Sequence, residues 1–145
     1  MASEASVCGQ GCRLRLSVSA YEFPDADDFD DANWLIGSVD LEAGTTGSFK
    51  ASHRITLRAD ELAQFRDELR PLLDTLKGEA TLRHMEKQFG CTVSLKDGKG
   101  DLTAFVSEHV GSILRVERCP TDQSYLGITL RGLDLLLSEF PVRGK

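Results

Sequence analysis

Residues 59–77 read ADELAQFRDELRPLLDTLK, and the period of this stretch decides the fold class. Leu62, Phe65, Leu69, Leu72, Leu73 and Leu76 recur at spacings of three, four and seven, which is one face of an amphipathic helix. Asp60 and Glu61 stand at its start, where the helix dipole favours acids. Pro71 lies inside the pattern and lacks a backbone donor, so the spacing predicts a kink or a split there. Gly78 is the expected stop.

Upstream, the period is two. From Arg13, the residues Leu14, Leu16, Val18 and Ala20 point one way, while Arg13, Arg15, Ser17 and Ser19 point the other, as in a half-buried strand. That strand continues through Tyr21 and Phe23 and stops at Pro24. Leu35, Val39 and Leu41 alternate with Trp34, Ile36 and Asp40 in a second strand. After the turn residues AGTTGS (43–48), Phe49, Ala51, His53, Ile55 and Leu57 mark one face of a third. Residues 1–12 are small and polar apart from Val7 and two cysteines, and predict a flexible tail ahead of a single domain over 13–145.

Downstream, period two returns. A short strand over 80–86 would place Leu82 inward. Cys91, Val93 and Leu95 predict a strand, KDGKG (96–100) a tight turn, and Leu102, Ala104 and Val106 the return. Ile113 to Cys119 predicts another strand. Leu126, Leu130, Leu133, Leu137 and Phe140 then step at helical spacing, with Ser124 as the expected N-cap and Pro141 as the stop. Gly127 and Gly132 weaken this helix. The chain therefore reads as α+β: an antiparallel sheet of about six to eight strands carrying one central amphipathic helix and a C-terminal helix.

The chain of 145 residues is long enough for one real core, and its net charge is −6. Residues 1–60 hold ten acids against five Lys/Arg, and residues 61–145 thirteen against twelve. An acidic first half disfavours nucleic acid and anionic membrane as partners and favours a basic one. No apolar run approaches the ~20 residues of a membrane span. The start MASEASVCGQGC has neither a basic n-region nor an apolar h-region. A cytoplasmic location is therefore expected.

The acids concentrate in PDADDFDDANWL (24–35), where Asp25, Asp27, Asp28, Asp30 and Asp31 precede the only tryptophan, Trp34. A calcium loop counted from Asp25 would need glycine at its sixth position and a bidentate Glu at its twelfth. Asp30 and Ile36 stand there instead. The cluster reads either as a solvated turn or as a contact patch for a cationic partner. Trp34 reads as a residue packed on the sheet.

No catalytic residue, cofactor or metal ligand is assigned. Cys8 and Cys12 form C-x3-C without the second pair a zinc knuckle requires, and Cys91 and Cys119 stand alone within strand-like stretches, as small buried hydrophobes. His53, His84 and His109 are scattered, and no nucleophile–base motif accompanies them.

Three stretches in order carry a resemblance: DANWL (31–35), ADELAQFRDELRPLL (59–73) and TDQSYLGITLRGLDLLLSEFPVRG (121–144). Their order over residues 13 to 144 resembles the WapI-family immunity proteins, small bacterial proteins in which an Asp-x-Asn-Trp-Leu-like strand start and a C-terminal Asp-Gln-Ser/Thr-Tyr-Leu segment ending in Phe-Pro recur. The resemblance implies an intracellular protein that binds and neutralises a secreted polymorphic toxin domain, often a nuclease with a basic surface. It brings no catalytic residues. Asp31 to Leu35, Asp122 to Leu126, and Phe140 to Pro141 match as structural landmarks. Asp122, Gln123 and Ser124 are placed to bond backbone donors at a strand-to-helix junction. The acidic run before DANWL and the C-x3-C are not family features.

The expectation is a non-catalytic binding protein for a cognate, basic toxin domain, with Asp25, Asp27, Asp28, Asp30 and Asp31 as the candidate contacts. The rival expectation is a small cytoplasmic accessory or scaffolding domain that self-associates as a homodimer through a sheet edge or the C-terminal helix.

Overall fold

The computed structural model describes residues 3–108 and 110–144. His109 lies outside the described residues. Eight antiparallel strands form two sheets of four, with three helices. The first sheet has the order β1 (Ser3–Gly9), β2 (Cys12–Tyr21), β3 (Trp34–Ala43), β4 (Phe49–Arg58). The second runs β5 (Gly78–Arg83), β6 (Phe89–Lys96), β7 (Lys99–Ser107), β8 (Ile113–Asp122). Helix α1 (Phe29–Ala32) is one turn long, while α2 (Ala59–Thr75) and α3 (Gln123–Glu139) are long.

Alternation places the expected residues inside. Leu14, Leu16 and Val18 of β2, Leu35, Val39 and Leu41 of β3, and Cys91, Val93 and Leu95 of β6 are all buried in one contiguous core. The expected face of β4 is graded. Ile55 and Leu57 are buried, but Phe49 at its start is 59% exposed. The turn after β6 uses two residues, Asp97 at φ 55° and Gly98 at φ 81°, as a tight hairpin requires.

Residues 3–9 are not a tail. Composition hides β1 because Glu4, Ser6 and Cys8 alternate with only three buried positions, Ala5, Val7 and Gly9. Pairing with β2 supplies what the segment alone lacks: Ala5 faces Leu16 and Val7 faces Leu14.

The helices also differ in detail from the local signals. Helix α2 runs through Pro71 without splitting. Pro71 is exposed, so the carbonyl it leaves unbonded can meet water. The helix ends at Leu76 in the left-handed region, two residues before Gly78, which opens β5. For α3 the N-cap is Asp122, not Ser124: its carboxylate accepts from the Ser124 N–H at 2.9 Å and the Tyr125 N–H at 3.4 Å. A bond from the Ser124 hydroxyl, together with these backbone donors, lowers the Asp122 pKa. Leu126, Leu130, Leu133, Leu137 and Phe140 all face the core.

Helix α3 packs on β1, α2 packs on β5, and the two helices pack on each other. They thereby bridge one edge of each sheet. Their side chains bond the edge backbones: Thr129 Oγ1 donates to Ser6 O at 2.8 Å, and Glu68 Oε1 accepts from the Thr81 N–H at 2.9 Å. On the other two edges, His84 Nε2 meets Thr56 O at 2.8 Å and the Gln10 N–H donates to Pro120 O at 2.7 Å. Each edge strand thus has a backbone group met by another element, which blunts its tendency to pair with a foreign strand.

Candidate functional site

The segment between β2 and β3 holds all five aspartates singled out above. Pro24 cannot extend the strand, and the Ala26 N–H closes a turn onto Phe23 O at 3.1 Å. Asp28 caps α1, its carboxylate accepting from the Asp31 N–H at 3.2 Å. Asp25, Asp27, Asp28, Asp30 and Asp31 are all exposed. Among the described residues, the carboxylates of Asp25, Asp27, Asp30 and Asp31 meet no hydrogen-bond or ion-pair partner. Two aromatics stand among them at the surface, Phe23 (44% exposed) and Phe29 (37%).

The backbone of this acidic segment is held by three side chains that the sequence reading did not single out for this role. Asn33 is fully buried. Its Nδ2 donates to Phe29 O at 3.0 Å and Arg143 O at 2.8 Å, and its Oδ1 accepts from the Arg143 N–H at 2.8 Å. Arg143 then reaches back over the loop. Its guanidinium donates to the carbonyls of Ala32, Pro24 and Phe23 and stacks 3.6 Å from the Tyr21 ring centroid. Tyr21 in turn donates to Pro141 O at 2.6 Å. Gly144 lies so close that a Cβ there would sit 2.8 Å from Phe29 N.

Arg58 is the third pin. It ends β4 and is 3% exposed. Its guanidinium lies 5.3 Å from the Phe29 ring centroid and 5.1 Å from that of Trp34. It donates to Asp30 O at 2.7 Å and Phe29 O at 3.1 Å, and pairs with Asp60 at 2.9 Å. Trp34 is therefore a packing residue whose ring covers a buried cation. The only hint in sequence was an arginine placed directly after the inward Leu57. Strand alternation assigns such a residue to solvent.

The loop-facing donors of Arg58 and Arg143 go to main-chain carbonyls, not to the loop's carboxylates. The aspartate side chains thus stay turned to water with their charge unpaired, on a backbone that is fixed from below. Such a surface attracts cations and cationic side chains.

Other groups of chemical interest lie elsewhere. Both nitrogens of His84 are engaged: Nε2 donates to Thr56 O, and Nδ1 accepts from the Gln88 N–H at 3.2 Å. Burial lowers its pKa. Glu61, in the first turn of α2, is pushed up to about 7, chiefly by burial and then by neighbouring Asp60. Its Oε1 and His53 Nε2 are buried without partners among the described residues. Cys8 and Cys12 lie on opposite faces of the β1–β2 hairpin, since Cys8 pairs with Arg13 and Cys12 with Gly9. Among the described residues no cluster of three or more His, Cys, Asp or Glu is arranged to hold a metal ion. No described helix is long and apolar enough to cross a membrane.

Comparison with protein families gives a match over residues 8–141 to the family described as the Immunity protein WapI-like family. Comparison with curated proteins and with solved structures gives no match. The matched range contains Asn33, Trp34 and Arg58 and ends at Pro141, two residues before Arg143. With nearly its whole length matched, the chain belongs to the WapI-like immunity protein family.

Proposed function

We propose that this protein binds and neutralises a cognate toxin domain with a basic surface, and that the acidic loop, residues 22–31, is a principal contact. Family membership supports toxin neutralisation. The observation that supports this surface is the pinned backbone beneath five exposed aspartates and two exposed phenylalanines. A loop already ordered loses little entropy on binding. Its carboxylates steer a cationic partner, and its aromatics offer the apolar anchors that dominate interface energies. A nuclease-like toxin fits, because a surface that binds nucleic acid is itself basic.

The partner to test is the variable C-terminal domain of a large secreted protein encoded beside this gene. Co-expression should abolish that domain's toxicity. In stopped-flow binding, replacing Asp25, Asp27, Asp28, Asp30 and Asp31 together by Asn should slow association by about tenfold or more at low salt. The salt dependence should flatten with it. Phe23→Ala should speed dissociation instead. An unchanged association rate at low salt would exclude this loop as the contact.

Self-association is the second reading, and α3 supports it. Ile128 and Leu135, seven residues apart and hence on nearly one face, are 54% and 71% exposed. Light scattering of wild type and Leu135→Glu decides it. A dimer that the substitution dissociates would favour this reading.

A further inference from the structure

The four cysteines are free thiols, and two of them meet across the two sheets. Gly9 and Cys12 face each other in the β1–β2 register. A Cβ on Gly9 would lie 2.6 Å from the sulfur of Cys119, on β8. The Cys119 sulfur therefore fills the space that a side chain at Gly9 would occupy. Facing Cβ positions in an antiparallel pair are about 4.5–5.5 Å apart, so that sulfur sits beside the Cys12 side chain. The two thiols are near enough to act on each other's ionisation.

The backbones here are tied as well. The Gln10 N–H donates to Pro120 O at 2.7 Å, Cys119 Sγ–H donates to Gln10 O at 3.4 Å, and Thr121 Oγ1 donates to Cys8 O at 3.0 Å. Cys12 and Cys119 are buried but line one cleft of about 580 Å³, which also takes in Phe49, Ile113, Leu114 and Val116. That cleft lies where β8 passes the ends of β2 and β3. Cys8 lies on the opposite face of the hairpin, paired with Arg13, though near enough to Cys119 to feel its charge.

We propose that Cys12 and Cys119 are a disulfide-forming pair that latches the first sheet to the second when the protein meets a disulfide oxidant such as oxidised glutathione. One thiol, as its thiolate, attacks glutathione disulfide and releases one glutathione thiol, leaving a mixed disulfide. The second thiol displaces the other glutathione. Two protein S–H bonds are exchanged for one S–S bond, and both hydrogens leave on two reduced glutathiones. Burial holds both protein thiols protonated, so the exchange takes minutes to hours at neutral pH. The bond closes a long loop, from residue 12 to residue 119, and so restricts the unfolded chain.

The test is to incubate the full chain with excess glutathione disulfide, quench with acid, and map peptides without reduction. The expected result is an intact mass lower by two hydrogens, one linked peptide pair carrying Cys12 and Cys119, and a raised melting temperature that dithiothreitol reverses. Cys8→Ala should retain all three, while Cys12→Ala and Cys119→Ala should lose the link. A link through Cys8, a stable glutathione adduct without a Cys12–Cys119 link, or four free thiols after incubation would overturn the proposal. The wild-type peptide map gives that answer even where a variant fails to fold.

Discussion

The Asn33 side chain pairs in both directions with the backbone of Arg143, 110 residues away, through two hydrogen bonds of 2.8 Å. This joins the end of the acidic loop to the segment after α3. It also joins two stretches of the chain that stood out separately in the sequence, DANWL and EFPVRG. The loop that carries the aspartates is therefore supported by the C-terminal segment.

Asn33→Ala removes both donors and the acceptor from a fully buried position and strands the Arg143 backbone groups. It should destabilise the fold by about 2–4 kcal/mol. Urea titration should show a lower midpoint with an unchanged slope. Asn33→Asp keeps one acceptor but sets a charge against the carbonyls of Phe29 and Arg143, so it should lose as much.

Arg58→Lys should not behave as a conservative change. An ammonium cannot keep the planar contacts with Phe29 and Trp34 together with the bonds to Asp30 O, Phe29 O and Asp60. A loss of about 2 kcal/mol is expected. Trp34 is the only tryptophan, so its emission reports directly on this site. The spectrum of the folded variant should shift, whereas Arg54→Lys, on the exposed stretch of β4, should leave it unchanged.

Glu61 sets a pH slope. Its folded pKa is raised to about 7 from an ordinary value of 4.5, so the folded state holds this proton more tightly than the unfolded state. The resulting stabilisation is full below about pH 4.5 and is lost as the pH rises towards 7. Glu61→Gln should thus stabilise the protein at pH 8 and have little effect at pH 4. The gain should be about 1–2 kcal/mol once the residue's partial exposure is allowed for. Chemical denaturation at both pH values measures it. His84, whose pKa burial lowers, gives a slope of the opposite sign, but it is common to both proteins and cancels in the difference.

The two glycines of α3 should separate. Nothing lies within 4 Å of a Cβ placed on Gly127, so Gly127→Ala should stabilise by about 0.5–1 kcal/mol through helix propensity. A Cβ on Gly132 would sit 3.3 Å from Ala5 Cα, where α3 approaches β1. Gly132→Ala should lower stability by about 1 kcal/mol through overpacking. Thermal melts of the two variants should move in opposite directions.

Much of the fold is legible along the chain because the inward positions follow short periods. The stripe from Leu62 to Leu72 and the alternation of Leu14, Leu16 and Val18 each emerge within a few residues, and all are buried. β1 was not legible, since its inward residues are small and only the facing Leu14 and Leu16 make it a strand. The α3 cap was misplaced by two residues because Asp122 and Ser124 are both good caps, and backbone geometry chooses between them.

The sequence by itself determined the two long helices, the strands from β2 onward with their core faces, and a concentration of negative charge between two strands. Each of these depends on neighbours within one turn of helix or one stretch of strand. Tertiary structure alone decided that the strands divide into two sheets, that Arg58 is buried, that Arg143 returns to clamp the acidic loop, and that Cys119 fills the space beside Gly9. Those contacts join residues far apart in the chain, and a bond between distant residues leaves no period for a local pattern to reveal.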